Sequence, residues 1–152
     1  MPHGPASVLL IDYDQFSLAN IAGILEPAGY KCHCARDPES ALKTARHTSL
    51  DLIVCDVRLD SANGMELCQE LRKVPGASEV PVIYVSTAQL PDIVRRSHEA
   101  GGAYYLRKPV DPDVMLEIVG KALWFPHLVQ SQLRYEQGNE QLRPAAFRKR
   151  ER

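Results

Sequence analysis

Asp51-Leu52-Ile53-Val54-Cys55-Asp56-Val57-Arg58 is the stretch whose reading decides the fold. Leu52 to Cys55 is a short apolar run, partly β-branched, and it stops at an acid. Such a run, too short for a core helix, predicts a strand buried on both faces of a parallel sheet. Arg58 to Asn63 then reads as a loop. Met65, Leu67, Cys68 and Leu71 follow on a helix.

The same order of strand, loop and helix recurs on either side. Upstream, Val8 to Ile11 is an apolar run closed by Asp12-Tyr13-Asp14, and Leu18, Ile21, Ala22, Ile24 and Leu25 recur at helical spacing. Gly29 supplies a helix stop. Tyr30 to Ala35 predicts a second strand, and Asp37-Pro38-Glu39 a second helix start, with an N-cap acid and proline at the first helical position. Downstream, Val80 to Val85 predicts a fourth strand ending at Ser86-Thr87. Ile93 and Val94 lie on a fourth, more polar helix that stops at Gly101-Gly102. Ala103 to Leu106 predicts a fifth strand, followed by Arg107-Lys108-Pro109. Asp111-Pro112 then repeats the cap-plus-proline signal before a helix carrying Val114, Leu116, Ile118, Val119, Ala122 and Leu123.

Five strands alternating with five helices predict an α/β fold: a five-stranded parallel sheet, doubly wound, with helices on both faces. The 152 residues divide into an N-terminal extension (1–6), one domain (7–125) and a polar C-terminal tail or linker (126–152). A formal net charge of −1 argues for neither nucleic acid nor membrane as partner. The tail closes on a basic cluster, Arg148-Lys149-Arg150, which reads as a solvated end. No apolar run approaches the roughly 20 residues that span a bilayer, and no secretory signal is visible, so a cytoplasmic location is expected. Cys32, Cys34, Cys55 and Cys68 read as ordinary reduced thiols. The Cys32-His33-Cys34 cluster lacks the second short-spaced pair that structural zinc sites use.

In open parallel sheets ligands sit outside the carboxyl ends of the strands. Asp12, Asp14, Asp56, Ser86 and Lys108 all fall there. Crowded carboxylates cannot all stay ionised without a counter-charge. Mg²⁺, a hard cation that prefers oxygen ligands, would supply it, and Lys108 would add a fixed positive charge. With the Ser86 hydroxyl, this set suits a phosphoryl group that one carboxylate attacks in line. Asp56, alone at the tip of the third strand, is the natural nucleophile.

The order of acid pair, Asp, Ser/Thr and Lys-Pro, each at a strand end, resembles response-regulator receiver domains of two-component systems, over roughly Ser7 to Ala122. That resemblance implies a flavodoxin-like (βα)5 fold in a phosphoacceptor signalling module rather than an enzyme with its own substrate. It implies that Asp56 takes a phosphoryl group from a histidine kinase or phosphotransfer protein. Ser86 becomes the switch hydroxyl, Lys108 the phosphoryl contact and Tyr105 the rotating aromatic. Asp12, Asp56 and the Arg58 backbone carbonyl become the Mg²⁺ ligands, and Lys108-Pro109 a cis peptide. Proline keeps that isomer within about 0.5–1 kcal/mol of trans. A downstream protein would dock on the face of fourth helix, fifth strand and fifth helix, and a homodimer is a further expectation. No DNA-binding domain is expected in this chain.

Three departures mark this sequence. Tyr13 stands where the family's second acid normally sits, with Asp14 following, either as a helix cap or as the replacement ligand. Asp60 takes a position that is often proline. Thr87 replaces a small residue beside the acceptor, and Arg58 and Ala88 fall at positions that influence phosphoryl lifetime in the family. Tyr13 and Thr87 favour an alternative, a receiver-like interaction domain that takes no phosphate. Asp12-Tyr13-Asp14 also fits the Asp-x-Asp signature of haloacid-dehalogenase-like phosphohydrolases, without that group's later acidic motif or cap insertion.

Overall fold

The computed structural model describes residues 4–60, 62–87 and 104–124. Its sheet is built from β1 (Ser7–Ile11), β2 (Lys31–Ala35), β3 (Leu52–Asp56), β6 (Val82–Ser86) and β7 (Tyr104–Arg107), in the order β2-β1-β3-β6-β7 and parallel throughout. Helices α1 (Gln15–Leu25), α2 (Pro38–His47) and α3 (Gly64–Leu71) alternate with them, and a last helix covers 112–124. This is the predicted doubly wound α/β fold.

Period-2 alternation divides each strand between two apolar layers. Leu9, Ile11, Ile53, Cys55, Val82 and Tyr84 join the layer that includes Ala41 and Ala45 of α2 and Leu67, Cys68 and Leu71 of α3. Val8, Leu10, Leu52, Val54, Ile83 and Val85 join Leu18, Ile21 and Leu25 of α1 and Met115, Val119 and Ala122 of the last helix. A strand lined on both faces has no polar side, which is why β3 reads as a continuous apolar run.

The helix starts are built as the sequence predicts. The Asp37 carboxylate accepts the Ser40 amide at 2.7 Å, and Asp111 accepts the Asp113 and Val114 amides at 2.9 and 3.1 Å. Each satisfies amides that the first turn leaves without a helical partner. Gly29 closes α1 through a 3-10 turn (Glu26–Ala28) with φ of 101°.

Several boundaries move. The fourth predicted strand begins at Val82 rather than Val80: the Val80 amide turns back to the Ala77 carbonyl, and Pro81 has no amide to give. The second begins at Lys31, because the Tyr30 amide is spent on Leu25 at the end of α1. The fifth reaches Arg107, which pairs with Ser86. The expected loop Arg58 to Asn63 holds a small antiparallel ribbon, β4 (Arg58–Leu59) with β5 (Ala62–Asn63). Ala88, the predicted fourth helix, Gly101-Gly102 and the C-terminal tail lie outside the described residues.

Candidate functional site

β1 and β3 are neighbours in the sheet, so Asp12 and Asp56 follow adjacent strand ends. Both are almost fully buried, at 1% and 4% exposed. Each carboxylate is divided in the same way. Oδ1 accepts the amide two residues on, Asp14 at 3.0 Å for Asp12 and Arg58 at 2.9 Å for Asp56. These Asx-type turns aim the other oxygen out of the loop. Both Oδ2 atoms accept from Lys108 Nζ, each at 2.6 Å.

Lys108 reaches this point because β7 lies beside β6 and the Lys108 amide donates to the Ser86 carbonyl at 2.9 Å. Ser86, 1% exposed, ends β6 next to β3. The peptide Lys108-Pro109 is cis. One ammonium thus stands between two carboxylates, with a buried serine beside the lysine's own backbone.

The electrostatics follow from that geometry. Burial pushes the Asp56 pKa up; bonds to Lys108 and the Arg58 amide pull it down, the Asp12 charge pushes it up again, and the net shift is upward. For Lys108, burial works against the charge, but the bonds to Asp12 and Asp56 more than offset it, and its pKa is raised. Two carboxylates facing a single lysine leave an excess negative charge at a buried point open to the strand ends.

The remaining predicted residues separate. Tyr13 is 46% exposed, and its carbonyl accepts from Arg36 Nε and Nη2 at 3.1 and 3.0 Å. Asp14 is the N-cap of α1: its Oδ1 accepts the Phe16 amide at 2.9 Å. Asp12 Oδ2 thus meets Lys108, while Asp14 spends one oxygen on the start of α1. Tyr105 is half-buried on β7 and packs against the α2–α3 layer. Thr87 is exposed. Asp60 lines a cleft of about 350 Å³ with Tyr13, Arg36, Asp37, Pro38 and Leu59, to one side of the lysine bridge.

Among the described residues no three His, Cys, Asp or Glu gather as a metal cluster. Mg²⁺ does not need one, since it commonly takes one or two carboxylates and fills its shell with water and substrate phosphate. Asp12 and Asp56, converging on one ammonium, are a donor set of that kind.

Two residues central to this arrangement were not singled out from the sequence. A Cβ on Gly64 would stand 1.9 Å from the Asp56 carbonyl oxygen, so only glycine lets α3 start against the Asp56 backbone. Its amide donates to Val57 at 2.8 Å. The Asn-Gly pair right after the loop is the available signal, with Asn63 capping α3 through Met65 and Glu66. Arg36, which pins the Tyr13 loop, carries no comparable signal.

The sequence profile of the response regulator receiver domain matches residues 8–120. Protein RcaC of Microchaete diplosiphon is 34% identical over 109 residues, which is 72% of this chain and 17% of that protein. Transcriptional regulatory protein GlrR of Escherichia coli K12 is 34% identical over 125 residues, 81% of this chain and 27% of that protein. The chain thus spans under a third of the length of either relative. A solved structure of a CheY-like response regulator receiver domain protein from Methanospirillum hungatei superposes with a TM-score of 0.74 at 25% identity, covering 81% of this chain and 97% of that one.

Proposed function

Because the chain belongs to the response regulator receiver domain family, we propose that Asp56 accepts a phosphoryl group from the phosphohistidine of a histidine kinase or phosphotransfer protein. The observation that carries this reading is the lysine bridge. Asp56 Oδ2 and Asp12 Oδ2 share one ammonium at 2.6 Å each, at the carboxyl end of the central strand. In the transfer, an Asp56 oxygen attacks phosphorus and the bond to the histidine nitrogen breaks. Lys108 then exchanges a carboxylate oxygen for a phosphoryl oxygen, which keeps its charge paired throughout.

Asp12, Asp56 and the Arg58 carbonyl would hold Mg²⁺, which when bound neutralises phosphoryl oxygens. Ser86 is the hydroxyl next to the acceptor strand, and its turn toward the phosphoryl group frees space for Tyr105 to move inward. The product state must favour that arrangement differentially for the switch to operate. The affected face includes β7 and the last helix, where a downstream partner or a second copy would dock. The predicted fourth helix, which completes that face, lies outside the described residues. No helix among the described residues is long and apolar enough to cross a membrane, and a cytoplasmic setting matches a phosphorelay.

The test is whole-protein mass after exposure to acetyl phosphate with Mg²⁺. One phosphoryl group should be added, lost on Asp56→Asn and kept on Asp14→Asn. Labelling that survives Asp56→Asn overturns the assignment. A second reading, a receiver that binds partners without taking phosphate, is favoured by Tyr13 at the second acid's position. It predicts no mass increase at all.

A further inference from the structure

Behind the acceptor lies a second group of reactive side chains that phosphoryl transfer does not use. Cys55 and Cys68 are fully buried free thiols in the α2–α3 layer. Cys55 directly precedes Asp56, and its Sγ lies 3.3 Å from the Asp56 carbonyl and 3.8 Å from the Gly64 carbonyl. In an α-helix that Gly64 oxygen is the one toward which the Cys68 amide points. Sγ of Cys55 therefore faces the first turn of α3 along the side that carries Cys68, one turn on from Gly64 and buried in the same layer. Tyr84, the register partner of Cys55 on the neighbouring strand, adds a buried hydroxyl with no hydrogen-bond partner to the same layer.

We propose that Cys55 and Cys68 form a redox-modification site, at which a small hydroperoxide converts the two thiols into a disulfide that staples β3 to α3 behind Asp56. The balance is simple. Cys68 sulfur attacks one peroxide oxygen, the O–O bond breaks, and the departing oxygen leaves as water with the thiol proton. Cys55 sulfur then attacks the sulfenic sulfur of Cys68, the S–O bond breaks, and a second water leaves with the Cys55 proton. Two thiols are oxidised by two electrons and one peroxide is reduced.

Cys68 is the better first nucleophile. The Cys55 thiol is held against the Asp56 and Gly64 carbonyl oxygens, at 3.3 and 3.8 Å, which disfavour its thiolate and leave it the resolving partner. Burial restricts the oxidant to one small enough to enter on local opening. It also shields the sulfenic intermediate from bulk thiols, leaving Cys55 as its partner. The pair on β2 cannot compete for this chemistry. Cys32 and Cys34 are two apart on one strand with side chains parallel, so their Cβ atoms lie about 6.6 Å apart, well beyond the roughly 3.5–4.5 Å a disulfide spans.

The experiment needs no variant. The whole native chain is treated with hydrogen peroxide, alkylated under denaturing conditions without reductant, and digested with trypsin. Cleavage at Arg46, Arg58 and Arg72 puts Cys55 in peptide 47–58 and Cys68 in peptide 59–72, while Cys32 and Cys34 share 32–36. The expected product is 47–58 joined to 59–72, lighter than their sum by two hydrogens and separated by dithiothreitol. Recovery of both peptides fully alkylated, after a dose that oxidises exposed Cys34, overturns the proposal. So does Cys68 found as sulfinic or sulfonic acid without the cross-link, or either thiol joined to 32–36. Cys68→Ala should abolish the cross-linked species. The outcome does not depend on whether Asp56 takes a phosphoryl group.

Discussion

Replacing Gly64 with alanine tests how α3 is seated on the Asp56 backbone. The new methyl would start 1.9 Å from the Asp56 carbonyl oxygen and 3.0 Å from both the Asp56 carbonyl carbon and Cys55 Sγ, where ordinary contact begins near 3.4 Å. The obstacle is backbone at the end of the central strand, not a side chain that can turn aside. Relief therefore moves either β3 or the first turn of α3, and endangers the 2.8 Å bond from the Gly64 amide to Val57. Overpacking of this kind costs about 1–3 kcal/mol, and a rigid obstacle puts this site at the upper end. Losing the Val57 bond adds about 1 kcal/mol, and alanine's better helix propensity returns up to about 1 kcal/mol. The net expectation is a loss of about 3 kcal/mol, or a Tm lower by roughly 6–12 °C for a chain of this size. Urea titration followed by far-UV circular dichroism reads this as a lower midpoint at unchanged slope. If Gly64→Ala matches the native chain within about 0.5 kcal/mol, the close approach does not hold α3, and the reasoning fails.

Three further outcomes follow from the same site. Asp56 has a raised pKa, so its ionised form burdens the folded state above that pKa, and the burden lifts as pH falls through it toward the unfolded value. Asp56→Asn should therefore be more stable than the native chain at pH 7, by about 1 kcal/mol, with the gap closing on acidification; equal stability at both pH values in denaturant titrations would contradict this. Tyr13→Asp should bind Mg²⁺ more tightly than the native chain in a calorimetric titration, because a carboxylate replaces a neutral phenol at the position directly after Asp12, and the metal-free protein should lose stability through added repulsion. Asp14→Ala should cost about 1 kcal/mol as a lost helix cap and leave Mg²⁺ affinity unchanged; a collapse of affinity would make Asp14 a ligand.

The parts of this molecule that the sequence announces are those set by local chemistry and by strand polarity. β3 is recognisable because burial on both faces removes every polar residue between Asp51 and Asp56. Asp37 and Asp111 announce helix starts because a cap acts within three residues of itself. The convergence of Asp12, Asp56 and Lys108 was also within reach, since parallel strands deliver their carboxyl ends to one edge of the sheet. What stayed hidden depends on approach between distant segments. Asp14 admits two readings in the sequence, and only the geometry at the start of α1 shows that one of its oxygens serves Phe16. A two-residue ribbon such as β4–β5 is too short to show alternation. Arg36 acts on a carbonyl 23 residues away, and a carbonyl has no residue type to recognise. Cys55 and Cys68 each look like a small apolar core residue in its own element. Only the packing of α3 on β3, allowed by a glycine with no side chain, makes them a pair. That same glycine lies against the Asp56 backbone and Cys55 Sγ, so the lysine-bridged carboxylates and the two thiols share one determinant. A substitution at Gly64 should disturb both together.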